Sequence, residues 1–195
     1  MTYEEYYGQE YQRLLGTQTI LETMANQMKN SEKSEEDLQP IVYYCSRIKK
    51  PDSMIAKLKS RGFNDSLKSA LHDVYDAVGL RIICSFESDV HKIVEILEHH
   101  KGITVIEKKD YLSFPKPNGY RSVHLCIKVN ETDTLAEIQV RSIAMDCWAT
   151  LEHQLKYKKS IQNEALIKSE LKRCADEIAS TDLSLQTIRE ILNSF

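Results

Sequence analysis

Apolar and polar positions change period several times along the chain, and each change marks an element. Residues 3–29 set Tyr7, Tyr11, Leu14, Leu21, Met24 and Met28 near one helical face. One long helix is expected there, weakened at Gly8 and Gly16. The acidic run 31–37 (SEKSEED) reads as a loop or a helix start, and the pentad IVYYC after Pro40 fits either helix or strand. Pro51 suits a first helical position, with Met54, Ile55 and Leu58 as a core face and Gly62 as a stop. LRIICSF then reads as a central strand, entered past Asp76 and Gly79. SDVHKIVEILEHH predicts a helix capped by Ser88, inward-facing at Val90, Ile93, Val94 and Leu97, and ended by Gly102.

Strand-like runs follow: ITVIEKKD, VHLCIKV and TLAEIQVRS. In the last, Leu135, Glu137, Gln139 and Arg141 share one face, and Ala136, Ile138 and Val140 the other. IAMDCWATLEHQLKYK (143–158) is helical, with Ile143, Cys147, Trp148, Leu151 and Leu155 on one stripe and Trp148 in the core. From Ile167 the positions Leu171, Cys174, Ile178, Thr181, Leu185, Ile188 and Leu192 recur at alternating four- and three-residue steps. That is a heptad seam with one polar position. It has two outlets, the amino-terminal helix or a second copy of the chain. The irregular stripe and two glycines of the first helix favour a homo-oligomer.

Composition narrows the picture. A chain of 195 residues suits one domain with an appended helical element, and 42% apolar with 28% charged residues is ordinary for a globular protein. The net charge of −3 gives no bulk attraction to polyanions, so anion binding must come from local clusters. Five cysteines show no C-x-x-C spacing, and those in strand-like runs, Cys84 and Cys126, read as buried, reduced thiols. No signal peptide and no apolar run long enough to span a bilayer is found, which points to the cytoplasm and to no membrane partner.

Local clusters are present. KKDYLSFPKPNGYRSVH (108–124) is a proline-shaped loop that combines Lys108, Lys109, Lys116 and Arg121 with Tyr111, Phe114 and Tyr120. Cations of this kind meet phosphates, and aromatic rings meet bases. Arg47 and Lys49 alternate towards one side of an extended lead-in, and Lys57 lies on the same helical flank as Ser53. Asp76 enters one strand and Glu137 stands within another, where an acid is uncommon unless compensated. A magnesium ion would compensate both and complete its shell with water and substrate phosphates. Magnesium-dependent phosphoryl or pyrophosphoryl transfer between nucleotides is the chemistry these groups suit. His72-Asp73 lacks the further ligands that a metal hydrolase needs, and neither a P-loop nor a G-x-G-x-x-G turn is present.

SRIKKPDSMIAKLK, DAVGLRIICSF, KDYLSFPKPNGYRSVHL and EIQVRSIAMDCWATLEHQLKYK, in that order, resemble the synthetase domain of the RelA/SpoT homologues. With no hydrolase domain upstream and a short helical tail, the chain resembles the stand-alone small alarmone synthetases. Asp76-Ala77-Val78-Gly79 departs from the more usual Asp-Ile-Ala-Gly, and Cys147 stands where an aromatic residue is frequent. The resemblance implies an α+β fold related to the nucleotidyltransferases, a mixed sheet of about five strands flanked by helices. It implies a helical segment at 1–40, the synthetase domain at 41–160 and a helical oligomerisation segment at 161–195, with a tetramer favoured.

The implied reaction moves the β,γ-pyrophosphate of ATP to the 3′-hydroxyl of GDP or GTP. In that scheme Arg47 and Arg81 sandwich the adenine, and Lys49 and Lys57, with Ser53 beside them, hold the ATP phosphates. Asp76 and Glu137 bind Mg²⁺, and Glu137 takes the hydroxyl proton. Tyr120 stacks on guanine and Asp146 accepts from its edge, while His124, Gln139, Lys109 and Lys116 line the acceptor phosphates and ribose. Without a nucleotide, Arg81 would need an acidic partner such as Asp76. Two other readings use the same residues: pyrophosphate transfer to tRNA or adenosine nucleotides, or a silent module that binds nucleotide or single-stranded RNA.

Overall fold

A computed structural model describes residues 1–31, 39–156 and 163–195. The acidic run 32–37, the end of the 143–158 segment and the 160/161 domain boundary lie outside them. The amino-terminal segment is two helices rather than one, α1 (Tyr3–Tyr7) and α2 (Glu10–Ser31). They break at Gly8, whose φ of +56° is a conformation that side chains rarely tolerate. Gly16 stays helical within α2, where Leu14, Leu21, Met24, Ala25 and Met28 are buried.

The pentad after Pro40 resolves as strand β1 (Ile41–Ile48), and Pro51 opens helix α3 (Pro51–Ser60) as expected. A short helix α4 (Leu67–His72) leads into β2 (Val78–Cys84), helix α5 (Glu87–Glu98) and strands β3 (Ile103–Asp110), β4 (Val123–Val129) and β5 (Thr134–Ser142). Helices α6 (Ile143–Lys156) and α7 (Glu164–Leu192) complete the order. Ser88 does not cap α5. The Asp89 carboxylate accepts from the Phe86 N–H instead, and both Ser88 and Asp89 are bound to Arg189 of α7.

The strands form one mixed sheet in the order β1-β2-β5-β4-β3, in which only β2 and β5 run parallel. Register gives its two faces opposite characters. Ile48, Val78, Ala136 and Ile127 lie in one cross-strand row, and Ser46, Leu80, Ile138 and Leu125 in the next. Apart from Ser46, these residues belong to the buried core, together with apolar residues of α2 and α5. The opposite face carries the rows Arg47–Gly79–Glu137–Cys126 and Cys45–Arg81–Gln139–His124–Lys109. Because strand side chains alternate, the buried face dictates which residues stand on the open one.

Among the described residues α7 packs chiefly on α5 and α6. Trp148 is buried and its Nε1–H donates to the Leu171 carbonyl at 2.9 Å. The seam divides in two: Ile167, Leu171, Cys174 and Ile178 are half-buried, whereas Thr181, Leu185, Ile188 and Leu192 are exposed. On α6, Ile143, Cys147, Leu151 and Leu155 are exposed as well, so that stripe turns away from the core that takes Trp148. A groove of about 830 Å³ runs between the exposed parts, lined by Phe86, Ile143, Cys147, Leu185, Ile188 and Leu192. No described helix is long and apolar enough to cross a membrane.

Candidate active site

The open face of the sheet holds two neighbouring cavities. The smaller, about 140 Å³, is lined by Cys45, Arg47, Asp76, Arg81, Glu137 and Gln139, among others. Gly79 has no side chain to fill its floor: a Cβ there would meet Arg47 and the Glu137 carbonyl only at 4.0 Å. The larger, about 340 Å³, is lined by Arg47, Arg81, Tyr120, Arg141 and one flank of α6 from Ala149 to Gln154. Arg47 and Arg81 border both, so the cavities form one cleft across the parallel pair and its β1 neighbour.

Asp76 stands just ahead of β2. Its Oδ2 accepts from Lys49 Nζ and Lys57 Nζ, each at 2.7 Å. Burial alone raises its carboxyl, but the two ammonium groups outweigh that and hold it below the usual carboxylate range. Its Oδ1 is buried and has no hydrogen-bond partner among the described residues. An orphaned anionic oxygen is costly in a low-dielectric setting. A divalent cation would satisfy it.

Glu137 has both oxygens engaged, Oε1 by His124 Nδ1 at 3.2 Å and Oε2 by the Gln139 amide at 2.7 Å. Burial pushes its carboxyl up, yet the hydrogen bonds from His124 and then Gln139 bring it down to about 2. From His124 a chain of bonds continues: Nε2 meets the Tyr120 hydroxyl at 2.7 Å, and that oxygen accepts from Arg141 Nη2 at 2.6 Å. Arg141 donates to the Tyr120 oxygen, and with the Tyr120 O–H directed to His124 Nε2 the neutral imidazole carries its hydrogen on Nδ1, facing Glu137. Arg141 also donates to Gln139 Oε1 at 2.7 Å and to Asp146 Oδ1 at 3.1 Å.

Asp146, in the first turn of α6, closes the far end of this network. Its Oδ1 also faces Arg81 Nη1 at 3.3 Å, and its Oδ2 accepts from the Tyr43 hydroxyl at 2.6 Å. The acidic partner of Arg81 is therefore Asp146 and not Asp76, which the two lysines occupy. Parallel pairing explains the choice, since it sets Arg81 beside Gln139 and directs it along the face towards α6.

Most of the residues expected from sequence converge. Arg47, Asp76, Arg81, Glu137, Gln139 and Tyr120 line the cleft, Lys49 and Lys57 reach it through Asp76, and His124 and Asp146 through their partners. Ser53 is exposed on the first turn of α3 and lines neither cavity. Lys109 sits one strand further out, 3.1 Å from Glu107, and Lys116 lies over the rings of Tyr111 and Tyr120 at 4.5 and 4.9 Å. Arg141, Tyr43 and the α6 flank were not anticipated as site residues. Arg141 was legible as the next position on the Glu137–Gln139 face, and the flank as helical steps from Asp146 through Ala149, Thr150 and His153.

Among the described residues no group of three or more His, Cys, Asp or Glu side chains is placed to hold a metal ion. Magnesium does not require one, because one or two carboxylates suffice when phosphates and water supply the rest. Asp76 and Glu137 lie in one cavity, and Asp76 has an oxygen free, so the donor set fits.

Residues 46–162 match the region found in RelA / SpoT proteins. The chain is 42% identical over 143 residues to the GTP pyrophosphokinase YwaC of Bacillus subtilis, covering 70% of this chain and 68% of that protein. It is 34% identical over 164 residues to the GTP pyrophosphokinase YjbM of the same organism, covering 80% and 75%. The crystal structure of small alarmone synthetase 1 from Bacillus subtilis bound to its product pppGpp superposes with a TM-score of 0.81 at 30% identity, covering 91% of this chain and 93% of that one. A carboxylate pair flanked by cations, on this sheet and at this level of identity, has one reading: the chain belongs to the RelA/SpoT family and has the fold of its small alarmone synthetases.

Proposed function

We infer that the chain is a GTP pyrophosphokinase that makes ppGpp and pppGpp, the alarmones of the stringent response, from ATP and GDP or GTP. The observation that carries this is Asp76 and Glu137 in one cavity, between a lysine pair and a hydrogen-bonded relay. Arg47 and Arg81 offer guanidinium planes for the adenine of ATP. Lys49 and Lys57 exchange Asp76 for the donor phosphates, and Asp76 with Glu137 would hold magnesium, which when bound would supply positive charge against that developing on the transferring phosphates. Glu137 orients the ribose 3′-hydroxyl and accepts its hydrogen. With a carboxyl near 2 it holds a proton only briefly. His124 and Gln139 brace it, and Lys109 and Lys116 steer the acceptor phosphates. Tyr120 stacks on guanine, and Asp146 turns an oxygen from Tyr43 to the guanine N1 and N2 edge.

Residues 41–160 form the catalytic unit in this reading, and the helical ends assemble it. The exposed half of the α7 seam, facing a large apolar groove, supports a homo-oligomer, with a tetramer favoured by the family resemblance. Light scattering at micromolar concentration tests this. Leu185→Lys with Ile188→Lys should shrink the particle while preserving the fold, and a monomeric wild type would refute assembly.

Turnover with ATP plus each of GDP, GTP, ATP and tRNA, with products separated, tests the reaction. Formation of ppGpp and pppGpp is expected. Transfer only to tRNA or adenosine nucleotides, or single-stranded RNA binding without turnover, would overturn it.

A further inference from the structure

The acceptor loop does not stand free. Gly119 has φ of +89° and is buried, and a Cβ built on it would lie 2.4 Å from the Ala175 Cβ of α7. Lys172, one position short of a full turn earlier, would lie 3.2 Å away through its Cδ. Glycine is required here for the backbone angle and for the approach of the helix. The crevice between loop, α6 and α7, lined by Gly119, Arg121, Trp148, Ala175 and Ala179, is about 10 Å³, no larger than one water molecule.

Polar contacts hold the same seat. Arg121 Nη2 faces Asp176 Oδ1 of α7 at 3.6 Å and donates through Nη1 to the Gly119 carbonyl at 3.2 Å. Asn118 Nδ2 donates to Glu152 of α6 at 3.1 Å, and its Oδ1 accepts from the Tyr120 N–H at 3.3 Å. α7 is itself fixed below the contact by Trp148, and above it by Ser142 on Asp182 and by Arg189 on Asp89. Ala175 is thus a small, buried point on a clamped helix, pressed against the residue that precedes Tyr120.

We propose that Ala175 and Asp176 of α7 are positioning residues for the acceptor nucleotide: they seat Gly119 and Arg121 and thereby fix where the Tyr120 ring stands. This rests on the reading of Tyr120 as the acceptor-base residue. The consequence is a split between substrates, since the donor-side residues Arg47, Lys49, Lys57 and Asp76 stand on or beside β1, α3 and the entry to β2, whereas α7 packs chiefly on α5 and α6.

Ala175→Leu and Asp176→Lys test it, with KM measured for GDP at saturating ATP and for ATP at saturating GDP. Ala175→Leu forces a buried contact apart and should raise the GDP KM at least about ten-fold, with the ATP KM within about two-fold. Asp176→Lys, an exposed charge reversal opposite Arg121, should raise the GDP KM about three-fold with the same asymmetry. Trp148 is the chain's single tryptophan and lines the crevice, so GDP should alter its emission in the wild type and less so in either variant. Should Ala175→Leu fail to fold by circular dichroism, Asp176→Lys decides alone. Equal changes in both KM values, or none, overturn the proposal. Tyr120→Ala separates the failures: if it raises the GDP KM while both α7 variants do not, only the seating role falls. If Tyr120→Ala leaves GDP unaffected, the acceptor reading and the proposal fall together.

Discussion

On the donor side of the cleft, Lys49 and Lys57 meet a single oxygen of Asp76 and leave its other oxygen without a partner among the described residues. On the acceptor side both oxygens of Glu137 are taken, and the bonds run on without a break through His124, Tyr120 and Arg141 to Asp146 and Tyr43. The first arrangement is a set of charges waiting for exchange: a polyanion with its cation can replace Asp76 on the lysines and fill the open oxygen. The second is a cooperative network, in which moving one member unsettles the next. Donor-side changes should therefore act through charge and be rescuable by ions, whereas acceptor-side changes should act through geometry.

Glu137 joins the two sides and should give the largest effect. Glu137→Gln keeps the shape, removes a magnesium charge and the hydrogen acceptor, and should lower turnover by about 10²–10⁴-fold with nucleotide binding partly kept. Near wild-type turnover would break the comparison at its centre. Asp76→Asn removes the common counter-charge of Lys49 and Lys57, and should abolish activity with magnesium. Partial recovery with manganese would show direct ligation and sharpen the view of this side as ion-responsive.

Acid should reveal the acceptor network as stability. The Glu137 carboxyl sits near 2 in the folded chain, below its ordinary value of 4.5. A depressed folded value stabilises above the unfolded value, and that contribution disappears as pH falls from about 4.5 through about 2. It amounts to at most about 3 kcal/mol, the linkage equivalent of the shift. Urea midpoints should drop more steeply below pH 4.5 in the wild type than in Glu137→Gln. Parallel curves would show that Glu137 is not held by the network.

Tyr120→Ala should weaken GDP or GTP by about 1–3 kcal/mol, the range of base stacking, with ATP barely changed. Calorimetric titration of each nucleotide checks this. An equal loss for ATP would mean that the ring supports the cleft as a whole, and would erase the distinction between its sides.

The legible parts of the site share a physical basis. Lys49, Lys57 and Asp76 lie within one stretch of lead-in, helix and strand entry, where alternation and helical spacing already bring cations to one flank. Glu137, Gln139 and Arg141 were legible as one face of β5 because strand period two is insensitive to the partner strands. Ser88 shows the limit. Its sequence context suits an N-cap, but Arg189, a hundred residues away, takes its hydroxyl, and a local reading has no access to that competition.

The sequence by itself determined most of the strands and helices and which side chains bear charge or rings, because these follow from local period and side-chain chemistry, but it left 41–45 open between helix and strand, missed the break at Gly8 and misplaced the stripe of α6. The tertiary structure alone decided that β2 and β5 pair in parallel, setting Gly79 beside Glu137 and Arg81 beside Gln139. It also gave Arg81 to Asp146 and seated Gly119 on Ala175. Each of these joins residues that are far apart along the chain, and only the packing of α6 and α7 around the sheet selects among the partners that charge and size would allow.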